Sequence, residues 1–211
     1  MDREQVLEWT RAERLGIAGF LEELAPDDWK RDSLCTGWTV HDVAAHLTLS
    51  TRTTLIDLLK GAVRARFDWE RMEYDKARER AARYTPAELV AQLRETAGSP
   101  RRAPLSAPLD PLTDFLVHGQ DIARPLGRPR PMPGPQTVAA LGHVVASPFY
   151  GAKKRLRGVR LVATDADWST GPGPREARGP AGDLLLVVTG RAAGLAGVTG
   201  AGATVLGERL A

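Results

Sequence analysis

Along the N-terminal part of the chain, apolar residues recur mostly three or four apart, at Val6, Trp9, Ile17, Phe20, Leu21 and Leu24, against a charged remainder. This period predicts an amphipathic helix over residues 2–24. The segment from Pro26-Asp-Asp-Trp29 through Gly37 reads as a connection. Thr39 followed by Asp42 is a capping-box-like start for a second helix, whose apolar side is supplied by Val40, Val43, Ala44, Leu47, Leu55, Leu58 and Leu59. The stretch from about 67 to 84 is too polar to assign beyond a helical or disordered crossing. Thr85-Pro-Ala-Glu88 repeats the capping signature with proline at the first helical position, so a third helix should run to about Ala97. A loop rich in proline and serine leads to Asp110-Pro111, which starts a fourth helix of bundle length.

After Arg124 the pattern changes. Pro125, Pro129, Pro131, Pro133 and Pro135 crowd into a semi-rigid connector, followed by a helix around Gln136–Ala146. From Gly158 the signals turn β-like: Val159-Arg-Leu-Val-Ala-Thr164 alternates as a strand, and Trp168 is placed on a second. The apolar block Leu184-Leu-Leu-Val-Val188 fits a buried helix or a strand, and periodicity does not separate the two. Gly200 to Leu210 reads as a short closing helix. The fold class expected is α+β: a helical bundle over residues 1–150, then a small α+β domain over 151–211.

The 211 residues suffice to bury a proper core in either one or two units. With 43% hydrophobic and 26% charged residues the composition is that of a soluble globular protein, and no apolar run approaches the ~20 residues needed to cross a bilayer. The first residues lack the basic-then-apolar layout of a secretion signal, and a cytoplasmic location is expected. The single cysteine, Cys35, excludes an intrachain disulfide and a multi-cysteine zinc site. A formal charge of +3 suggests no nucleic-acid partner, because the basic residues are interleaved with acids, as in Glu70-Arg-Met-Glu-Tyr-Asp-Lys-Ala-Arg-Glu-Arg80. The one run of a single sign, Lys153-Lys-Arg-Leu-Arg-Gly-Val-Arg160, reads as a solvated connector.

The chemistry centres on the fourth helix. Asp114 and His118 stand four apart there, one above the other on one face, and form half a metal site. His46, in the second helix, is the candidate third ligand. Two histidines and a carboxylate would leave a divalent metal with open positions, which points to chemistry rather than scaffolding. Asp121, three residues after His118, is either an alternative carboxylate ligand or an acceptor that orients the His118 ring. His41 and His143 read as surface residues, Cys35 as a small buried one, and Trp38 as a hydrophobic staple at the entry of the second helix.

Four motifs occur in one order: Cys35-Thr-Gly-Trp-Thr-Val-His-Asp-Val-Ala-Ala-His46-Leu; Asp114-x-x-x-His118-Gly-x-Asp121-Ile-Ala-Arg124-x-Leu-Gly127; Val162-Ala-Thr-Asp-Ala-Asp-Trp168; and Gly179-Pro-Ala-Gly-Asp-Leu-Leu-Leu-Val-Val-Thr-Gly-Arg191. The set resembles the mycothiol-dependent maleylpyruvate isomerase family, a branch of the DinB/YfiT-like metal-binding four-helix bundles, over nearly the whole chain. The resemblance implies zinc or another divalent metal on His46, Asp114 and His118, and a sterol-carrier-like C-terminal domain. It departs at one ligand, since the family's isomerase has glutamate where this chain has the shorter Asp114.

What the resemblance implies chemically is a thiol cofactor, mycothiol, taken up at the metal and added to a small electrophile, with isomerisation or S-transfer as the outcome. By its place in the motif Arg191 matches an arginine kept for the substrate's carboxylate; from the residues alone it caps the end of its element, and both readings stand. The competing functions are a non-catalytic metal- or ligand-binding relative and a metal-dependent hydrolase. The expected partners are the electrophile and the thiol, without nucleic acid or membrane, in a monomer or homodimer.

Overall fold

Asp2 opens the first helix, its carboxylate accepting a hydrogen bond from the Gln5 amide at 2.8 Å. The structure is a computed structural model that describes residues 2–171 and 173–211. Helix α1 (Arg3–Glu22) buries Val6, Ile17, Ala18 and Leu21 on the predicted face. Thr39 and Asp42 form a complete capping box at the start of α2 (Val40–Arg52). The helix expected to continue through Leu58 and Leu59 ends at Arg52, because Thr54 and Asp57 build a second capping box and start α3 (Leu55–Arg64). Helix α3 turns Ile56 and Val63 to solvent, 63% and 66% exposed, and buries only Leu58.

The polar stretch left unassigned by its sequence forms α4 (Trp69–Arg83), capped by Asp68 and burying only Met72 and Ala77. Helices α5 (Pro86–Glu95) and α6 (Asp110–Ala123) follow as expected, α5 with a capping box of Thr85 and Glu88. Both α1 and α2 pack against both α5 and α6, α4 lies on α2, and α3 on α4. The four expected bundle helices are thus α1, α2, α5 and α6. Their shared core includes Ile17, Leu21, Val43, Leu47, Leu89, Leu93, Phe115 and Ile122. Each such side chain contributes about 1.5–3 kcal/mol by leaving water.

A buried arginine and a largely covered one finish this unit. Arg14, 2% exposed, donates to the carbonyls of Thr96, Ala97 and Ser99 at 3.1, 3.3 and 2.8 Å, and so supplies donors to the carbonyls just beyond α5. Burial lowers its pKa to about 10. Arg130 pairs with buried Glu13 at 2.6 Å across Gly119, where a Cβ would stand 2.5 Å from the guanidinium.

Backbone contacts divide the chain into Met1–Arg130 and Pro131–Ala211. The division falls within the proline-rich connector and not at the expected 150/151, since α7 (Gly134–Ala146) packs on α9 (Ala181–Val188) and groups with the second unit. After the single-turn α8 (Ala152–Arg155), that unit holds a three-stranded sheet in the order β2-β1-β3. Strand β1 (Val159–Ala163) pairs antiparallel with β2 (Ser169–Thr170) through Leu161↔Thr170, and parallel with β3 (Arg175–Gly179) through Val159↔Arg175 to Ala163↔Gly179. The ambiguous block Leu184–Val188 is helical and wholly buried, because α9 is packed by the sheet, by α7 and by the 3-10 segment Ala192–Gly197. Helix α10 (Ala201–Leu210) closes the unit on β3, where only a glycine at 202 fits: a Cβ there would stand 2.7 Å from the Ala177 amide nitrogen. Among the described residues no helix is long and apolar enough to cross a membrane. The chain is α+β, with a helical N-terminal unit, as its sequence predicts.

Candidate functional site

The site is assembled in the first unit, where the loop ahead of α2 meets α6. The Leu34 amide donates to the Asp121 carbonyl at 3.0 Å, which ties the loop to the last turns of α6. A tight turn follows, with Trp38 N bonded to the Cys35 carbonyl at 3.0 Å and Gly37 at φ 76°, a left-handed conformation that suits glycine. The turn delivers two side chains to the same place. Cys35 is brought beside His118 and Asp121, and Trp38 is laid against two histidines.

His46 and His118 meet with ring centroids 4.8 Å apart, edge to face. Trp38 stacks on His118 at 6.3 Å and tilts against His46 at 5.1 Å, so the residue read as a staple is also the aromatic wall of the site. Helix periodicity explains how each ring arrives: His46 follows the buried Val43 by one turn of α2, and His118 sits between buried Val117 and Gly119 on α6.

Each imidazole has a carboxylate at its Nδ1. His118 Nδ1 lies 2.9 Å from Asp121 Oδ2, and Asp121 is fully buried. His46 Nδ1 lies 3.5 Å from Glu73 Oε2 of α4, a charge contact rather than a hydrogen bond, so the orienting role falls to Asp121 on His118. A carboxylate behind an imidazole is how proteins fix the ring and its tautomer when Nε2 is to bind a metal. Asp121 therefore acts on the ring as one of its two expected roles requires.

The electrostatics are strong. Burial alone would strip the proton from His118, but the hydrogen bonds to Asp121 and Cys35 outweigh it and raise the pKa to about 10. Burial likewise pushes the Glu73 carboxyl up, opposed by Lys76, whose Nζ is 3.7 Å away, and by His118.

Of the trio expected to hold metal, His46 and His118 come together, and Asp114 stands one turn before His118 on α6, partly buried. The three donors whose ligating atoms all lie within 4.8 Å of one another, among the described residues, are Cys35, His118 and Asp121. Cys35 Sγ donates to Asp121 Oδ2 at 3.1 Å and lies 3.7 Å from His118 Nδ1. Imidazole, carboxylate and thiol on one spot are donors suited to zinc or a similar divalent cation. This group fits such an ion, whereas His46, Asp114 and His118 do not bring three donor atoms within that distance of one another.

The other expected residues fall elsewhere. Arg191 belongs to the second unit and donates to the Thr189 carbonyl at 2.8 Å, the end-of-element bond expected for it from the residues alone. His41 is not a surface residue: it is half-buried, its Nε2 2.9 Å from the Tyr84 carbonyl and its ring edge-on to Trp29. His143, also half-buried, has its ring edge-on to Tyr150. Glu73 was missed because α4 is so polar; the inward residues Met72 and Ala77 are the only trace of the face that carries it.

A family model described as the mycothiol maleylpyruvate isomerase N-terminal domain matches residues 10–114. Comparison with curated proteins found no match. Among solved structures, the crystal structure of the mycothiol-dependent maleylpyruvate isomerase superposes with a TM-score of 0.64 at 13% identity, covering 95% of this chain and 93% of that one. A histidine-to-alanine mutant of that isomerase superposes at 0.63, with the same identity and coverage. At that identity the superposition speaks for the fold alone. The family match begins within α1 and ends within α6, so it concerns the first unit. Residues 10–114, just under half of the chain, are thus similar to the mycothiol maleylpyruvate isomerase N-terminal domain family.

Proposed function

We propose that this protein is a metal-dependent enzyme that activates a low-molecular-weight thiol, mycothiol, for isomerisation of, or transfer to, a small electrophile. The observation that carries this reading is the pair of imidazoles 4.8 Å apart, one hydrogen-bonded at Nδ1 to Asp121 and the other with Glu73 3.5 Å from its Nδ1. His46, His118 and Asp114 would hold the cation, zinc or another divalent ion. When bound, that cation lowers the pKa of a thiol at its open position and so supplies a nucleophile at neutral pH.

The chain's own residues do the rest. Asp121 holds the His118 ring in orientation and accepts the S–H of Cys35. Trp38 covers one side of both imidazoles and keeps water from that side. Arg191 is carried as the arginine for a substrate carboxylate on its place in the motif alone, since planar oxygens suit a guanidinium fork.

A second reading, a metal-binding relative without thiol chemistry, is favoured by the Cys35–His118–Asp121 group, which offers three donors to a cation without any cofactor. Cobalt substitution separates the two. The enzyme reading expects a sulfur-to-cobalt absorption band only after mycothiol is added, and turnover of an activated alkene by the same sample. A band present before any thiol, abolished by Cys35→Ser, with no adduct or isomerised product from a panel of electrophiles, would defeat it.

A further inference from the structure

A second concave site lies in the first unit, walled by α2, α3 and α4, with a cavity of about 660 Å³. That size is within the ~300–1,000 Å³ typical of small-molecule sites. Six basic side chains line it, Arg52, Lys60, Arg64, Lys76, Arg80 and Arg83, against three acidic ones, Asp57, Asp75 and Glu79. The acids are already committed. Asp57 is held by the Thr54 amide and hydroxyl at 3.0 and 2.6 Å, Glu79 pairs with Arg64 at 2.5 Å, and Asp75 faces Arg71 at 3.9 Å.

The excess positive charge gathers at one end. Arg80 is anchored by neutral partners, Thr48 Oγ1 and Gln92 Oε1, with its guanidinium 4.6 Å over the Tyr84 ring. Arg52 reaches Glu95 at 2.6 Å through Nη2, while its buried Nε has no hydrogen-bond partner. Arg83 makes no side-chain hydrogen bond or ion pair with the described residues, and the Lys60 side chain makes no hydrogen bond with them but acts on Asp57 through its charge. Burial lowers the pKa of Arg80, and the neighbouring charges of Arg52 and Arg83 lower it further, against Tyr84. Like charges held together around an orphaned donor are an arrangement that an anion relieves.

We propose that this groove binds a small polyanion, with a phosphate or carboxylate group seated among Arg52, Arg80 and Arg83. Arginine forks match both oxyanions, and the rest of the cavity accommodates a polar ligand body larger than the anionic group itself. The site does not rest on the metal reading. Its link to the histidines runs through Lys76 and Glu73, 3.7 Å apart, and Glu73 is 3.5 Å from His46.

The test is calorimetric titration of the full chain at fixed ionic strength with inorganic pyrophosphate and, separately, citrate. One saturable site for at least one probe is expected, and the tighter probe tells phosphate from carboxylate chemistry. Arg83→Ala, whose side chain has no partner to lose, should weaken binding at least tenfold, as should Arg52→Gln. His118→Ala should leave binding within twofold even where it removes the metal, so this site and the metal site can fail separately. No saturable heat from either probe, or undiminished affinity in folded Arg83→Ala, overturns the proposal.

Discussion

Asp121 Oδ2 stands 2.9 Å from His118 Nδ1 and 3.1 Å from Cys35 Sγ, so one fully buried carboxylate holds both a histidine and a cysteine. A buried carboxylate of this kind sets the basicity and the orientation of the ring it touches. Asp121→Asn keeps the shape but gives up the charge, and the metal affinity of the protein should fall about 10–100-fold. Competition with a chromophoric chelator measures it. Unchanged affinity would mean that the ring is held by something other than this contact.

The same contact gives the metal-free protein a pH signature. The His118 pKa is raised above its ordinary value of 6.5 to about 10 in the folded state, so the stabilisation is present in full below 6.5 and is lost as pH rises through that window. Denaturation midpoints of chelator-treated protein should therefore decline between those limits, and Asp121→Asn should flatten the decline. Because the same proton must leave when a cation binds, metal affinity should rise with pH, by up to about tenfold per unit. Affinity independent of pH would contradict the protonated imidazole.

Cys35 is a hydrogen-bond donor to the buried Asp121. Cys35→Ala leaves that carboxylate with one donor fewer and should cost about 1–3 kcal/mol in urea unfolding. A cost near zero would show that the thiol contributes nothing to the cluster.

Arg14 and the outer face of α3 should behave oppositely. Arg14→Met strips three carbonyls beyond α5 of their common donor and should destabilise by about 3 kcal/mol. Ile56→Ser and Val63→Ser, at positions 63% and 66% exposed, should each stay within about 0.5 kcal/mol. Thermal unfolding of the three variants checks both statements. Large losses at Ile56 or Val63 would mean that α3 is covered in the folded protein.

Local chemistry made much of this chain legible. Capping boxes at Thr39 and Thr85 and the period of Val40, Val43 and Leu47 announce their helices, because a cap satisfies backbone donors within a few residues and an apolar stripe has only one period. The Thr54 box is equally local, but Leu55, Leu58 and Leu59 continue the apolar positions past it and hide the break between α2 and α3. Helix α4 was harder, since a helix that buries only Met72 and Ala77 carries almost no stripe to read.

By itself, then, the sequence determined the α+β class, the four helices of the bundle and the candidacy of His46, Asp114 and His118, all of which rest on spacing within single elements or on motif order. Tertiary structure alone decided that Cys35 and Asp121 join His118, that Trp38 covers both imidazoles, that Glu73 of a polar helix faces His46, and that α7 sides with the second unit. Those relations join residues dozens of positions apart, and no local period or cap encodes which helix faces meet. That is settled by how the apolar faces of α1, α2, α5 and α6 fill one core.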